Sequence, residues 1–90
     1  MQTIGYYNGV IAPLDELMIP ANDRANYFSD GVYEATYGRN HKIFALDEHV
    51  DRFFRSLSMI RIEPNFTKDE LKTLLYSLVE KLDADEFCLY

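Results

Sequence analysis

The spacing of the apolar residues changes halfway along the chain, and this change restricts the fold more than any other feature. Before residue 46, short alternating stretches are separated by turn residues, a pattern typical of hairpins. After residue 46, apolar residues recur every three or four positions, as in helices that bury one side. Strands followed by helices predict an α+β fold, in which an antiparallel sheet built from hairpins carries two helices on one face, in two layers.

The first hairpin is marked by its turn. Asn8 and Gly9 form the strongest two-residue signal for a type I′ turn, and they separate residues 4–7 from residues 10–14. Pro13 cannot donate a backbone hydrogen bond, so it should restrict the second strand to a sheet edge or end it early. The polar stretch that follows is predicted to be a loop with one helical turn over residues 23–28.

A second hairpin is predicted within residues 31–46. Residues 31–37 alternate in the manner of a strand, which places Tyr33, Ala35 and Tyr37 on one face and Val32, Glu34 and Thr36 on the other. Residues 38–40 should form a tight turn, and residues 42–46 the returning strand. The sheet would therefore gain a second pair of antiparallel strands.

Two helices are predicted in the second half. The first should run from about residue 48 to residue 61, with Asp47 as its N-cap, and Pro64 should end it. Ahead of the second, Thr67 and Glu70 have the spacing of a capping box. The apolar side of that second helix comprises Leu71, Leu74, Leu75, Leu78, Val79 and Leu82.

The C-terminal residues predict a turn over residues 83–86 and a further strand over residues 87–90. A natural C-terminus is usually polar and frayed, whereas this chain ends in four apolar or aromatic residues. The pattern favours a chain cut inside a longer protein over a short strand at a sheet edge.

Composition excludes several classes of protein. The net charge is −6, with nine Lys and Arg among fifteen acidic residues, so no basic patch for nucleic acid is expected. No apolar run reaches the ~18 residues of a membrane span, and no signal peptide opens the chain. Cys88, the only cysteine, is expected to lie in the core. We expect one cytoplasmic domain over residues 1–90, with most of its seven Tyr and six Phe in the core.

Three residues are candidates for a functional site. His49 and Arg52 lie three positions apart and share one face of the first helix. The helix dipole disfavours an arginine near the N-terminus, so Arg52 either pairs with Glu48 or binds an anion. His49 has no neighbouring ligands for a metal site. Tyr33 is either a core tyrosine or a hydroxyl group that faces a cleft.

Several motifs occur together in a fixed order. They are Asp23-Arg24, Asp30-Gly31-Val32-Tyr33-Glu34, Leu46-Asp47-Glu48-His49-Val50-Asp51-Arg52-Phe53 and Ser56-Leu57. In order and spacing they resemble the opening of the class IV aminotransferases, pyridoxal-phosphate enzymes of fold type IV. The resemblance covers residues 6–90, and the sequences of the motifs are most similar to those of the D-amino-acid aminotransferases. It implies the N-terminal small domain of such an enzyme.

The resemblance assigns a role to each candidate. Arg52 would bind the phosphate of pyridoxal phosphate, with His49 beside it as a second cofactor residue. Tyr33 would line the substrate pocket and help to hold the substrate carboxylate. Arg24 and Asp30 match positions that we interpret as structural.

The same resemblance implies what this chain lacks. The family's catalytic lysine and the glutamate that pairs with the pyridine nitrogen lie in a larger C-terminal domain. None of Lys42, Lys68, Lys72 and Lys81 matches that lysine, so we expect no catalytic residue and no transaminase activity from residues 1–90 alone, and weak cofactor binding at best. A homodimer is also implied.

Three alternatives stay open at this point. Within the family, the parent enzyme could act on branched-chain L-amino acids or be an aminodeoxychorismate lyase. Outside the enzymes, the chain could be a non-catalytic interaction domain, recognised as a dilution-stable monomer with a polar surface around Tyr33 and Arg52. A weaker alternative is an anion-binding module that uses Arg52 and His49.

Overall fold

The computed structural model of the protein describes residues 3–82 and 84–90, including all of their side chains except those of Asn26 and Tyr27. The chain forms two compact units, Met1–Asp30 and Gly31–Tyr90. Antiparallel sheets of two and three strands, together with two long helices, confirm the predicted α+β class. Among the described residues, no helix has both the length and the apolar character to cross a membrane.

The first unit contains the predicted N-terminal hairpin. β1 (Ile4–Tyr7) pairs antiparallel with β2 (Val10–Pro13), and the turn residues Asn8 and Gly9 both have positive φ, at 46° and 87°. A type I′ turn requires positive φ at both central positions, so the predicted turn is confirmed. β2 ends at Pro13, which also agrees with the prediction.

The predicted helical turn follows in the same unit. α1 (Arg24–Phe28) begins after Asp23, whose side chain accepts a hydrogen bond of 2.9 Å from the backbone N–H of Ala25. This N-cap bond satisfies one of the free donors at the start of the helix. α1 ends at Ser29, which has a left-handed backbone conformation with φ of 56°.

The second unit contains a three-stranded antiparallel sheet, in which β3 (Thr36–Arg39) lies between β4 (Lys42–Ile43) and β5 (Glu86–Leu89). Its hairpin is shorter and begins later than predicted. Residues 31–35 lie outside the sheet. The turn lies at Asn40 and His41, with φ of 52° and 62°. The predicted turn over residues 38–40 and the long returning strand were therefore wrong.

Gly38 explains why the turn moved. Gly38 lies in β3, where it pairs with Ile43 on one side and with Phe87 on the other. A Cβ atom at this position would collide with the Phe87 ring and with the carbonyl oxygen of Lys42. The glycine is therefore needed for close packing inside the sheet and not for a turn. Cross-strand packing with a residue far along the chain decided its conformation.

The two faces of this sheet differ in exposure. Paired residues lie on the same face, and the inner face comprises Thr36, Gly38, Ile43, Phe87 and Leu89, all buried or half-buried. The alternation extends upstream, where Val32 and Glu34 are half-buried while Tyr33 and Ala35 are exposed. The two sets of side chains predicted for residues 31–37 are thus confirmed, although only part of this segment is a strand.

The outer face is exposed and contradicts two predictions. Cys88 pairs with Tyr37 on this face and is exposed, so it is not a core residue. The ring of Tyr37 stacks on Phe44, with centroids 5.0 Å apart, and both are exposed. The expectation of mostly buried aromatic residues was also wrong, since the exposed ones include Tyr6, Phe28, Tyr33, Tyr37, Phe44, Phe66, Tyr76 and Tyr90.

The first long helix, α2 (Leu46–Met59), begins and ends earlier than predicted. Its N-cap position is Ala45, which has a left-handed backbone with φ of 49° and makes no side-chain cap bond. Asp47 is therefore not the N-cap, because it already lies within the first turn.

The end of α2 is set by backbone hydrogen bonds before Pro64 is reached. Arg61 has φ of 59°; its N–H donates to Ser58 O at 3.1 Å, and the N–H of Ile62 donates to Leu57 O at 2.9 Å. This pair of bonds is a Schellman motif, which satisfies carbonyl groups at the helix end. The prediction that Pro64 ends the helix was wrong for this reason.

The second long helix, α3 (Lys68–Lys81), begins where the sequence predicts. The Thr67 hydroxyl accepts from the Glu70 N–H at 3.1 Å, and the Glu70 carboxylate accepts from the Thr67 N–H at 2.9 Å. The capping box is confirmed. The predicted final strand is present as β5 (Glu86–Leu89), whereas Asp83 of the predicted turn lies outside the described residues.

Candidate functional site

The candidate site is centred on Glu34, in the extended segment that leads into β3. Its side chain is only 15% exposed, because the alternation of this segment turns it towards the same side as Val32 and Thr36. A carboxylate with so little access to water needs charged or polar partners. α2 supplies them.

Arg52 and His49 both donate to this one carboxylate. The Arg52 guanidinium binds it in a bidentate manner, with Nε 2.5 Å from Oε2 and Nη2 2.7 Å from Oε1. Nδ1 of His49 lies 2.9 Å from Oε1. Two residues three positions apart on a helix lie on the same side of it. The predicted shared face of His49 and Arg52 is thus confirmed, and Glu34 is what brings them together.

This geometry settles one of the open alternatives. Among the described residues, the carboxylate partner of Arg52 is Glu34 of the preceding segment and not Glu48 of its own helix. Because α2 begins at Leu46, Arg52 is also deeper in the helix than predicted. The helix dipole acts mainly within the first turn, so it says little about a cation at this depth. Pairing with Glu34 explains the position of Arg52 better.

The electrostatics follow from the pairing. The hydrogen bonds from Arg52, and then those from His49, lower the pKa of Glu34 from its ordinary value of 4.5 to about 2, against the opposing effect of burial. The same contact raises the pKa of Arg52. Glu34 is therefore ionised at neutral pH and can only accept hydrogen bonds.

The ionised state of Glu34 also fixes the proton on His49. Since the carboxylate can only accept, Nδ1 of His49 must carry the hydrogen of the 2.9 Å contact. The second ring nitrogen, Nε2, then holds either a lone pair or, in the charged ring, a second proton. Nδ1 is thus bonded to Glu34, whereas Nε2 makes no hydrogen bond among the contacts of the described residues.

Arg52 also has N–H groups that do not bind Glu34. A guanidinium has five N–H groups, and the two contacts with Glu34 use one on Nε and one on Nη2, leaving three. The side chain is 55% exposed and lines an open groove of about 390 Å³ together with Glu48, His49, Asp51 and Arg55. Because Asp51 is paired with Lys68 at 3.0 Å, part of the groove's negative charge is compensated. The N–H groups of Arg52 that Glu34 leaves unused can hold a small anion such as a phosphate group.

Tyr33 lies next to Glu34 in sequence but in a different depression. Its side chain is 74% exposed and its ring stacks on Tyr90, with centroids 6.0 Å apart, so the interpretation as a core tyrosine is wrong. The depression measures about 290 Å³ and is lined mainly by apolar side chains, which come from residues 32–36, from α2 and α3, and from residues 89–90. His49 lines both this depression and the groove of Arg52. The structure brings His49 and Arg52 together and leaves Tyr33 beside them.

The two motif residues interpreted as structural form a pair in the first unit. Nε of Arg24 lies 2.6 Å from the Asp30 carboxylate, and the Arg24 guanidinium lies 5.1 Å from the centre of the Phe28 ring. The ion pair links α1 to Asp30 after its end, whereas the contact with Phe28 lies within the helix.

Glu34 is the site residue that the sequence interpretation missed. It was placed on the face opposite Tyr33, but its partners were not foreseen. The signal was present, since the inward face of that segment reads Val32, Glu34, Thr36, and a carboxylate between two such residues requires a cation. The helix face that carries His49 and Arg52 offers two side chains that can donate to such a carboxylate.

Comparison with known proteins gives the family. The family model for amino-transferase class IV matches residues 31–89, which include all of Glu34, His49 and Arg52. The D-alanine aminotransferase of Bacillus licheniformis is 38% identical over 74 residues, covering 82% of this chain and 26% of the relative. That of Staphylococcus aureus strain N315 is 33% identical over 85 residues, covering 94% and 30%.

A third relative agrees with these two. The D-alanine aminotransferase of Listeria monocytogenes serotype 4b, strain F2365, is 35% identical over 72 residues, which is 80% of this chain and 25% of the relative. The chain thus spans between a quarter and a third of the length of the curated relatives it matches. From the family match and these identities, we conclude that the chain belongs to the class IV aminotransferase family.

Proposed function

We propose that the protein supplies the N-terminal small domain of a pyridoxal-phosphate aminotransferase that moves an amino group between a D-amino acid and a 2-oxo acid. The observation that carries the proposal is the joint presence of the family match over residues 31–89 and the Glu34–His49–Arg52 cluster within it. The D-amino acid is proposed because the three relatives described above are D-alanine aminotransferases.

In this proposal Arg52 and His49 hold the phosphate group of pyridoxal phosphate. The three N–H groups of Arg52 that Glu34 leaves unused suit a phosphate, since guanidinium and phosphate oxygens match in geometry. His49 lines the same groove, and in its charged form it can donate from Nε2 to a phosphate oxygen. When bound, the cofactor supplies the electron sink that allows the amino group to be transferred. Tyr33, whose side chain is exposed, helps to hold the substrate carboxylate.

The lysines of the chain support a catalytic residue elsewhere. A lysine that attacks a cofactor must lose its proton easily, which requires a lowered pKa. Lys72 has the opposite property, because its contact of 2.6 Å with Asp47 raises its pKa. Lys68 is paired with Asp51, and Lys42 and Lys81 are exposed. Residues 1–90 are accordingly inactive by themselves in this proposal.

The remaining parts of the enzyme are proposed from the length of the relatives. This chain covers 26% and 30% of the Bacillus and Staphylococcus proteins, which leaves room for a larger C-terminal domain carrying the lysine. Exposed aromatic residues such as Tyr37 and Phe44 on the outer sheet face are more numerous than an isolated surface requires. A cytoplasmic homodimer completes the proposal.

The test begins with the gene. We propose reading the frame past the codon for Tyr90, expressing the protein from the complete frame (the complete protein) and assaying it with D-alanine, L-leucine and aminodeoxychorismate. We expect pyruvate from D-alanine when a 2-oxo acid acceptor is present. Turnover of L-leucine, or release of product from aminodeoxychorismate, would instead support the branched-chain aminotransferase or the lyase.

The interaction-domain alternative predicts a different set of results. A stop codon directly after Tyr90, together with a monomer that is stable to dilution in gel filtration, would replace the enzyme proposal by that alternative. The control is the same assay on residues 1–90 alone, which should give no pyruvate.

A further inference from the structure

We propose that Glu34 is a positioning residue for phosphate binding. Its one carboxylate orients the Arg52 guanidinium, and it also orients the His49 ring and determines which ring nitrogen carries the proton. This inference rests on the proposed function, because it assumes that Arg52 and His49 face the cofactor's phosphate. Neither the family match nor the relatives assign a role to Glu34.

Glu34 restricts the conformations of the Arg52 side chain. A long side chain that is 55% exposed samples many conformations, and ordering it upon binding an anion costs free energy. The bidentate contact at 2.5 Å and 2.7 Å fixes the guanidinium plane before any anion arrives. Glu34 is itself held, since it is 15% exposed and accepts from two residues. The unused N–H groups of Arg52 are therefore pre-oriented.

Glu34 also orients the His49 ring. The same Oε1 atom that accepts from Nη2 of Arg52 also accepts from Nδ1 of His49 at 2.9 Å. An ionised acceptor keeps a hydrogen on Nδ1 and leaves Nε2 as the nitrogen that can contact an anion, to which Nε2 donates only as the second N–H of the charged ring. Without Glu34, neutral imidazole can place its proton on either nitrogen. Glu34 thus determines which ring atom of His49 meets an anion.

Positioning by Glu34 and the electrostatic effect of its charge predict opposite changes in anion binding. Glu34 is an anion close to Arg52, so by Coulomb's law alone its removal should tighten the binding of another anion. Positioning predicts the opposite, because loss of Glu34 releases both donor side chains. Glu48 provides the matched comparison, since it is an acid lining the same groove without bonding to Arg52 or His49 among the contacts described above. The sign of the change at position 34 therefore decides between the two explanations.

The experiment uses the complete protein and two cofactor probes. Pyridoxal phosphate and pyridoxal differ only in the phosphate group. The dissociation constant of pyridoxal divided by that of pyridoxal phosphate (the ratio) therefore isolates the contribution of that group. We expect Glu34→Gln to weaken pyridoxal phosphate at least about ten-fold, as the loss of charge-assisted hydrogen bonds implies, while pyridoxal binding changes little. Glu48→Gln should leave the ratio unchanged or tighten pyridoxal phosphate slightly.

The outcomes separate this inference from the function on which it rests. If Arg52→Ala leaves the ratio unchanged, the proposed phosphate role of Arg52 fails. If Arg52→Ala lowers the ratio but Glu34→Gln leaves it unchanged or raises it, only the positioning role is overturned.

A second measurement needs no substitution at Glu34. Long-range ¹H–¹⁵N spectra of wild-type protein report which nitrogen of a neutral histidine ring carries the proton. We expect His49 to be protonated on Nδ1 at a pH where its ring is neutral. A ring protonated on Nε2 alone would overturn the inference, even if the Glu34→Gln variant failed to fold.

Discussion

α2 and α3 have the same length but begin in opposite ways. Both contain fourteen residues. α3 begins with a complete capping box between Thr67 and Glu70, whereas α2 begins after Ala45, in a left-handed conformation and without a side-chain cap. α2 carries His49 and Arg52, while α3 carries none of the candidate site residues. The helix with the best local start signal is thus not the helix that builds the site.

Contacts from other parts of the chain hold α2 in place. Asp47 pairs with Lys72 at 2.6 Å and Asp51 pairs with Lys68 at 3.0 Å, so two lysines of α3 bind the first two turns of α2. The order of the pairs is reversed along the two helices, which shows that they run antiparallel. Glu34 adds its bonds to the same region of α2. Tertiary contacts therefore replace the missing cap.

The largest effect is expected at the start of α3. Thr67→Ala removes the hydroxyl that accepts from the Glu70 N–H, which should destabilise the first turn by about 1 kcal/mol. Amide hydrogen exchange at Glu70 and Leu71 should then be about five-fold faster, while pyridoxal phosphate binding is unchanged. Thr67→Ser keeps the hydroxyl and is the control. If Thr67→Ala weakens cofactor binding by the same factor as it speeds amide exchange, the claim that the start of α3 is independent of the site on α2 is wrong.

A smaller effect of opposite sign is expected at the end of α2. Arg61 occupies a left-handed position with φ of 59°, which glycine adopts without a steric penalty. Arg61→Gly should raise the free energy of unfolding by about 0.5–1 kcal/mol, measured by hydrogen exchange in the last turn of α2. Arg55→Gly in the same helix should lower it by about 1 kcal/mol, because its backbone is helical. Equal signs for the two substitutions would contradict the Schellman assignment.

The smallest effect is expected between the helices. Lys72→Gln removes the ion pair with Asp47, and partly exposed pairs contribute little to stability. Amide hydrogen exchange in the first turn of α2 should become slightly faster. The size of this change should be smaller than the size of the change that Arg61→Gly produces in the last turn. The difference between variant and wild type should shrink at high salt, because salt screens the pair. A difference that persists in high salt would mean that Lys72 acts through packing.

The same contrast explains what the sequence could predict. Two short-range signals are confirmed by the structure, because the interacting residues lie within a few positions of each other. They are the capping box of Thr67 and Glu70 and the turn at Asn8 and Gly9. Gly38 was misread as a turn residue because the ring that covers it belongs to Phe87. Nothing local reveals a contact between residues so far apart in the chain.

The site shows the same division. The shared face of His49 and Arg52 follows from helix periodicity and is confirmed. Glu34 completes the cluster from another element, eighteen residues before Arg52, and was not foreseen. The cofactor roles of His49 and Arg52, and the substrate role of Tyr33, stay predictions.

The pairing of Glu34 also predicts how stability depends on pH. Folding lowers the pKa of Glu34 from 4.5 to about 2, so the folded state binds fewer protons than the unfolded state in that range. The stabilisation is complete above pH 4.5 and is lost as the pH falls through about 2.

The most direct test of the account is the pKa of Glu34 itself. A ¹³C NMR titration of the Glu34 side-chain carboxyl in the wild-type protein, repeated in Arg52→Met, reads the strength of the pairing without any cofactor. We predict a pKa of about 2 in the wild type and a clear rise towards 4.5 in the variant, since the bonds from Arg52 are the largest cause of the shift. A wild-type pKa near 4.5, or one that Arg52→Met leaves unchanged, would contradict the claim that this carboxylate organises the site.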